Sequence, residues 1–155
     1  MIQEVEFHTG VAEPVGFACR LLRKAYRQGV RTVVTAAPTD LAALDNLLWT
    51  FDERAFVPHV RLAAHSVPAT AARSPIWLLD GGSAVLPSGA PTVLVNLGAA
   101  APEAPAVMAR LTRVIEVLGA EADALAAGRQ RWRAYVARGL NIKHHAAKAG
   151  GAETA

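Results

Sequence analysis

The chain has a single cysteine, Cys19, among its 155 residues, so it can form no intrachain disulfide and has no Cys-x-x-Cys metal pair. That excludes a disulfide-stapled scaffold and suits a reducing compartment. Long apolar runs are also missing: none approaches the roughly 20 residues needed to cross a bilayer. The opening MIQEVEFHTG has neither the positive nor the apolar region of a signal peptide. A cytoplasmic protein with no membrane partner is expected. Phosphate-binding glycine loops are absent too. The first strand–helix junction, FHTGVAEPVGF, contains neither G-x-G-x-x-G nor G-x-x-x-x-G-K-[ST], and DGGS at 80–83 lacks the full pattern. No nucleotide site and no cofactor are expected.

Catalytic and metal signatures fare no better. There is no His-Glu-x-x-His; His59 and His65 lie six apart, and the adjacent His144 and His145, if helical, diverge. Ser66, Ser74, Ser83 and Ser88 have no G-x-S-x-G context. Cys19 falls on the apolar side of a helical pattern, as a buried inert thiol does. Asp40, Asp45, Asp52 and Glu53 are paired with no base. These absences lead to the expectation of no metal site, no catalytic residues and no enzyme activity.

What is present is a folded composition: 52% hydrophobic residues, much of it alanine, and 19% charged. Val5 and Phe7 alternate with polar neighbours as in a strand. From Pro14, the residues Val15, Ala18, Cys19, Leu22, Ala25 and Tyr26 recur at helical spacing, and Gly29 marks a stop. RTVVTA (31–36) reads as a central strand, and PTDLAALDNLLWTF (38–51) as a helix capped by Thr39. PIWLLD (75–80), TVLVNL (92–97) and RVIEVLG (113–119) read as further strands. A turn-rich connector fills 81–91, and a short helix is expected over 101–111. The last helix spans 120–139. This alternation predicts one α/β domain with a mainly parallel sheet. The domain is expected over residues 1–143, followed by a flexible tail over 144–155 rich in small residues.

The net charge of +3 is modest, but its distribution is uneven. Residues 128–148 carry six Lys/Arg and no acid, and residues 20–31 carry five and no acid. At about 100° per residue, Leu125, Arg129, Trp132 and Val136 fall on one stripe of the last helix. Arg133 flanks that stripe, and Arg131, Tyr135 and Arg138 lie to other sides. Three readings follow. Trp132 and Val136 pack on the sheet while the arginines reach water; or the stripe makes a pocket with an apolar floor and cationic rim for an acidic chain terminus; or Trp132 stacks a base of single-stranded nucleic acid while arginines hold phosphates. The basic side of the first helix, Arg20, Lys24 and Arg27, is a solvated face or lies along DNA or an acidic partner.

Four segments in order, VEFH, LDNLLWTFDERAFVPH (44–59), PIWL (75–78) and GRQRWRAYVARG (128–139), resemble the chi subunit family of bacterial DNA polymerase III. The resemblance implies a single α/β domain with helices on both faces, like a nucleotide-binding fold without a nucleotide site. It implies a non-catalytic accessory of the clamp loader that binds the acidic, aromatic-ended C-terminal tail of single-stranded DNA-binding protein. Contact with DNA is then mostly indirect. In some bacteria such proteins also bind a psi subunit. The resemblance places tail binding on Arg129, on the Trp132–Arg133 pair, on an apolar floor of Leu118 and Val136, and on a close turn at Gly139. Where the family can carry a lysine, this chain has Leu125, which implies weaker electrostatics there. The 44–59 segment is either core or an exposed patch of Trp49, Phe56, Val57 and Pro58 facing psi. Direct binding of single-stranded nucleic acid is the alternative function.

Overall fold

The computed structural model describes residues 2–50, 56–62, 74–79, 92–98 and 109–147. The connector at 81–91, most of the helix expected at 101–111, His65, and the serines Ser66, Ser83 and Ser88 lie outside them. In chain order the described elements are β1 (Glu4–Val11), α1 (Pro14–Arg27), β2 (Thr32–Thr35), α2 (Pro38–Thr50), β3 (Val60–Leu62), β4 (Ile76–Leu79), β5 (Val93–Asn96), β6 (Arg113–Gly119), α3 (Ala122–Ala137) and β7 (Ile142–Ala146).

The strands form one parallel sheet in the order β3-β4-β2-β5-β6-β1-β7. The central strands β2, β4 and β5 are buried along their whole length, as parallel strands covered on both faces must be. On one face α1 and α2 bring Phe17, Leu22, Leu41, Leu44 and Leu48 onto Val34, Ile76, Val95 and Ile115. On the other face, Tyr135 of α3 joins Phe7, Val33, Trp77, Leu94, Val114 and Leu118. The expected single α/β domain with helices on both faces is therefore the observed one. Among the described residues no helix is long and apolar enough to cross a membrane.

Helix ends follow from local chemistry. Pro14 opens α1, and Gly29 closes it at a positive φ of 72°. There Gly29 N–H donates to Tyr26 O (3.0 Å) and Val30 N–H to Ala25 O (2.9 Å). Cys19 is buried and its thiol is pushed up to about 11 by burial, so it is held in the unreactive form. The expected cap at Thr39 is displaced. The helix α2 already begins at Pro38, whose fixed φ and missing N–H suit a first helical position, so Thr39 lies inside it.

Two strands were not anticipated. The short edge strand β3 has three residues, and β7 carries one large apolar side chain, Ile142, with Lys143, His144 and His145 between it and Ala146. Because β7 runs to Ala146, residues 144–146 belong to the sheet rather than to the expected tail, held in register against Phe7, His8 and Thr9. His144 and His145 diverge because they alternate across a strand, not around a helix. Beside them β1 carries an irregularity: the register with β6 slips by one residue between His8 and Val11, where Gly10 has a φ of 67°.

One polar group lies at the centre of this apolar packing. Glu116 of β6 is fully buried on the α3 side. Arg131 Nε donates to both its oxygens (3.0 and 3.1 Å), and Tyr135 O–H donates to Oε2 (2.9 Å). Asn96 also donates to the carboxylate, and Asn96 in turn accepts from Thr35 Oγ1 (3.0 Å). Burial raises the Glu116 pKa above its ordinary value, opposed by Arg131, Tyr135 and Asn96. A raised folded-state pKa favours the fold most in acid, below the ordinary carboxylate range. That contribution is lost as pH rises through the folded-state value. Arg131→Met should therefore cost about 3–5 kcal/mol at neutral pH, by leaving a buried carboxylate without its cation. The loss should shrink in mild acid, where the carboxyl protonates. Adding Glu116→Gln, which keeps an acceptor for Tyr135, should recover most of it. Urea unfolding of the three proteins at two pH values measures this.

Candidate functional site

The side of α3 that meets the sheet is not the stripe expected from its apolar residues. The buried line is Gly128, Arg131 and Tyr135. Glu116 draws Arg131 and Tyr135 inward, and Gly128 admits the close approach: a Cβ there would fall 2.4 Å from Leu118 Cδ1. With that line turned in, Leu125, Arg129, Trp132 and Arg133 are left flanking the contact.

They overhang a crevice of about 390 Å³ between α3 and the strands β1, β6 and β7. Its lining is Phe7, Thr9, Leu118, Leu125, Gly128, Arg129, Trp132, Arg133 and His144. Trp132 is half-buried, tilted at 56° on Phe7 with ring centroids 4.9 Å apart, and meets the His144 ring edge-on at 5.7 Å. Thr9 Oγ1 and His144 Nε2 are hydrogen-bonded at 2.7 Å and form the polar part of the wall. Arg129 and Arg133 are exposed on the rim, one helical turn apart, and neither pairs with an acid among the described residues. The result is an apolar, aromatic floor under two exposed guanidinium groups. Such a site takes a ligand with one apolar group and one or two carboxylates.

Of the residues named from sequence, Leu118, Arg129, Trp132 and Arg133 come together in this crevice, and Leu125 extends its apolar lining. Val136 and Gly139 do not. Val136 is 55% exposed and lies off the lining, because the inward turn of Tyr135 carries its neighbour out to solvent. Gly139 works as a helix stop. Its φ is 75°, its N–H donates to Val136 O (2.9 Å), and Leu140 N–H donates to Tyr135 O (3.2 Å). Four lining residues were missed: Phe7, Thr9, Gly128 and His144. Phe7 looked like one inward strand residue among others, and Thr9 and His144 become neighbours only through the β1–β7 pairing.

The second candidate surface divides. Trp49 and Phe56 are 58% and 50% exposed, with ring centroids 4.8 Å apart. Beneath them, His59 meets the Trp49 ring edge-on at 5.3 Å and bridges Val57 O (2.7 Å) and Asp45 Oδ1 (2.8 Å). Pro58 is half-buried. Val57, however, belongs to the core, 2% exposed among the residues under α2. It therefore offers no side chain to a partner.

The family model described as DNA polymerase III chi subunit, HolC, matches residues 2–143. Among curated proteins, the DNA polymerase III subunit chi of Pseudomonas aeruginosa is 32% identical over 129 residues, covering 83% of this chain and 82% of that protein.

The cap geometry yields a direct check. Gly139→Ala should cost about 1–2 kcal/mol, since alanine is strained at positive φ. It should leave the pocket's affinity for ligand at the wild-type value, because Gly139 is off the lining. Chemical denaturation and a binding titration on the same variant separate the two effects.

Proposed function

Because this chain belongs to the family of DNA polymerase III chi subunits, we propose that it is a non-catalytic adaptor of the replicase whose crevice under α3 holds the acidic C-terminal tail of single-stranded DNA-binding protein. Through that tail it ties the clamp-loader assembly to coated template in the cytoplasm. The observation that carries this reading is the pairing of an apolar, aromatic floor with two arginines, Arg129 and Arg133, that have no acidic partner among the described residues. An aromatic terminal side chain suits the space beside Leu118, Leu125 and Trp132, and the terminal carboxylate suits the guanidinium rim. The rim charges sit in water and act mainly on association rate, so added salt weakens binding. With few anchors on a short peptide, micromolar affinity, about 8 kcal/mol, is the expected scale.

The test is titration of a labelled peptide copying that tail, into wild type and Arg129→Ala, with bare oligo-dT in parallel. Arg129→Ala should weaken peptide binding at least ten-fold, about 1.4 kcal/mol, while oligo-dT binds weakly to both. Tight oligo-dT binding with a steep salt dependence and no peptide binding would instead make the basic end of the chain a direct nucleic-acid contact.

The exposed ring pair supports a second contact of the same adaptor. Trp49 and Phe56, with Pro58 at their edge, form a compact apolar patch suited to a psi subunit or another holoenzyme protein. Trp49→Ser should leave unfolding free energy within about 1 kcal/mol of wild type, as exposed positions do. It should abolish co-purification with such a partner and leave tail-peptide affinity unchanged.

A further inference from the structure

On the sheet face opposite the crevice, the pairing of β1 with β7 brings a side chain from the end of the chain beside two from its beginning. The parallel register sets His8 directly beside His145, and Glu6 lies two residues earlier on the same face. The donor atoms of Glu6, His8 and His145 all lie within 4.8 Å of one another. The two imidazoles are nearly parallel, at 15°, with centroids 4.8 Å apart. Glu6 Oε2 is 3.6 Å from His8 Nε2, while its other oxygen accepts from Arg113 Nη2. His8 is braced from the helix side by Phe17, ring centroids 5.0 Å apart.

We propose that Glu6, His8 and His145 form a binding site for a divalent transition-metal ion of the zinc class. Two imidazoles and one carboxylate are the donor set that such ions prefer, and water completes the shell; calcium and magnesium ask for oxygens instead. Arg113 fixes the outer oxygen of Glu6 and leaves the inner one aimed at His8, the role an outer-shell partner plays in built sites. The surrounding charges balance: Arg113 is paired with Glu6 and Lys143 with Glu4, so an incoming cation meets no unpaired positive group among these neighbours. A bound ion would clamp the edge strand β7 to β1, one residue from the His144 that walls the crevice.

Calorimetric titration of Zn²⁺ into the full chain, near neutral pH in a non-coordinating buffer, tests the site, with visible absorption of bound Co²⁺ as a second readout. One ion per chain is expected. His8→Ala and His145→Ala should each weaken binding about ten-fold or more, the scale seen even for outer-shell partners. Glu6→Gln should weaken it several-fold, and His59→Ala and His144→Ala should bind as wild type does. The His145 side chain lies exposed on an edge strand, so its replacement keeps the fold, which circular dichroism checks. Failure of wild type to bind one zinc ion, or binding that survives His145→Ala or is lost in His59→Ala, overturns the proposal.

Discussion

The architecture of the α3 side depends on one ionised or ionisable carboxyl group with no access to water. Glu116 sits on a strand flanked on both sides, fully buried. A carboxyl in that position must be hydrogen-bonded or neutralised, since the cost of an isolated buried charge exceeds the stability of a whole domain of this size. The fold meets the demand with four polar residues from three elements: Arg131 and Tyr135 from α3, and Asn96 and Thr35 from the adjoining strands. Arg131 Nη2 is buried with no hydrogen-bond partner among the described residues, so the network is not fully satisfied. Apolar residues of similar volume would hold α3 about as well. What the polar network adds is orientation: only one rotation of α3 places both Arg131 and Tyr135 on the carboxylate.

That rotation decides what the outer side of the helix can do. Turning Arg131 and Tyr135 inward sends Arg129 and Arg133 to the rim and leaves Trp132 at the boundary, where one edge packs on Phe7 and the rest faces the crevice. The same segment thus contains arginines in opposite settings. Arg131 is neutralised by a buried acid and is structural, while Arg129 and Arg133 are exposed and have no acidic partner among the described residues. Gly128 belongs to the same device, because any side chain there would push Leu118 out of its place in the floor.

Much of this was legible from sequence where the signal was apolar and continuous. The runs at 32–35, 76–79, 93–96 and 113–119 appear as strands close to their expected limits, because strands buried on both faces are rich in β-branched and other apolar residues, Glu116 being the charged exception within them. The phase of α3 was not legible. A hydrophobic stripe predicts that Trp132 and Val136 face the core, and nothing local reveals that an arginine takes their place because of an acid fifteen positions earlier in the chain. Edge strands were lost for a related reason. Residues 142–146 carry one large apolar side chain, and pairing with β1 through backbone hydrogen bonds needs no more. Val57 shows the converse failure: in an aromatic-rich stretch, exposure and burial alternate between neighbours, and composition does not say which is which.

The position of the crevice connects these particulars to the fold class. In open parallel α/β sheets, ligands collect beyond the carboxyl ends of the strands, where nucleotide-binding members place glycine amides and a helix N-terminus against phosphate. Thr9 and Leu118 lie toward the carboxyl ends of β1 and β6, so the crevice opens at that same end of the sheet. The β1–α1 junction there is built against a phosphate. Pro14, at the start of α1, has no N–H to offer, and the Glu13 that precedes it brings negative charge to the helix's positive end. Positive charge is supplied instead by side chains on the other face of the sheet, from α3, over a floor of Leu118, Leu125 and Trp132. A phosphate would gain little from such a floor, whereas a peptide terminus carrying an apolar group and a carboxylate uses both halves. Arginine side chains over an aromatic and apolar floor thus stand at the end of the sheet where nucleotide-binding members of this fold class place backbone amides.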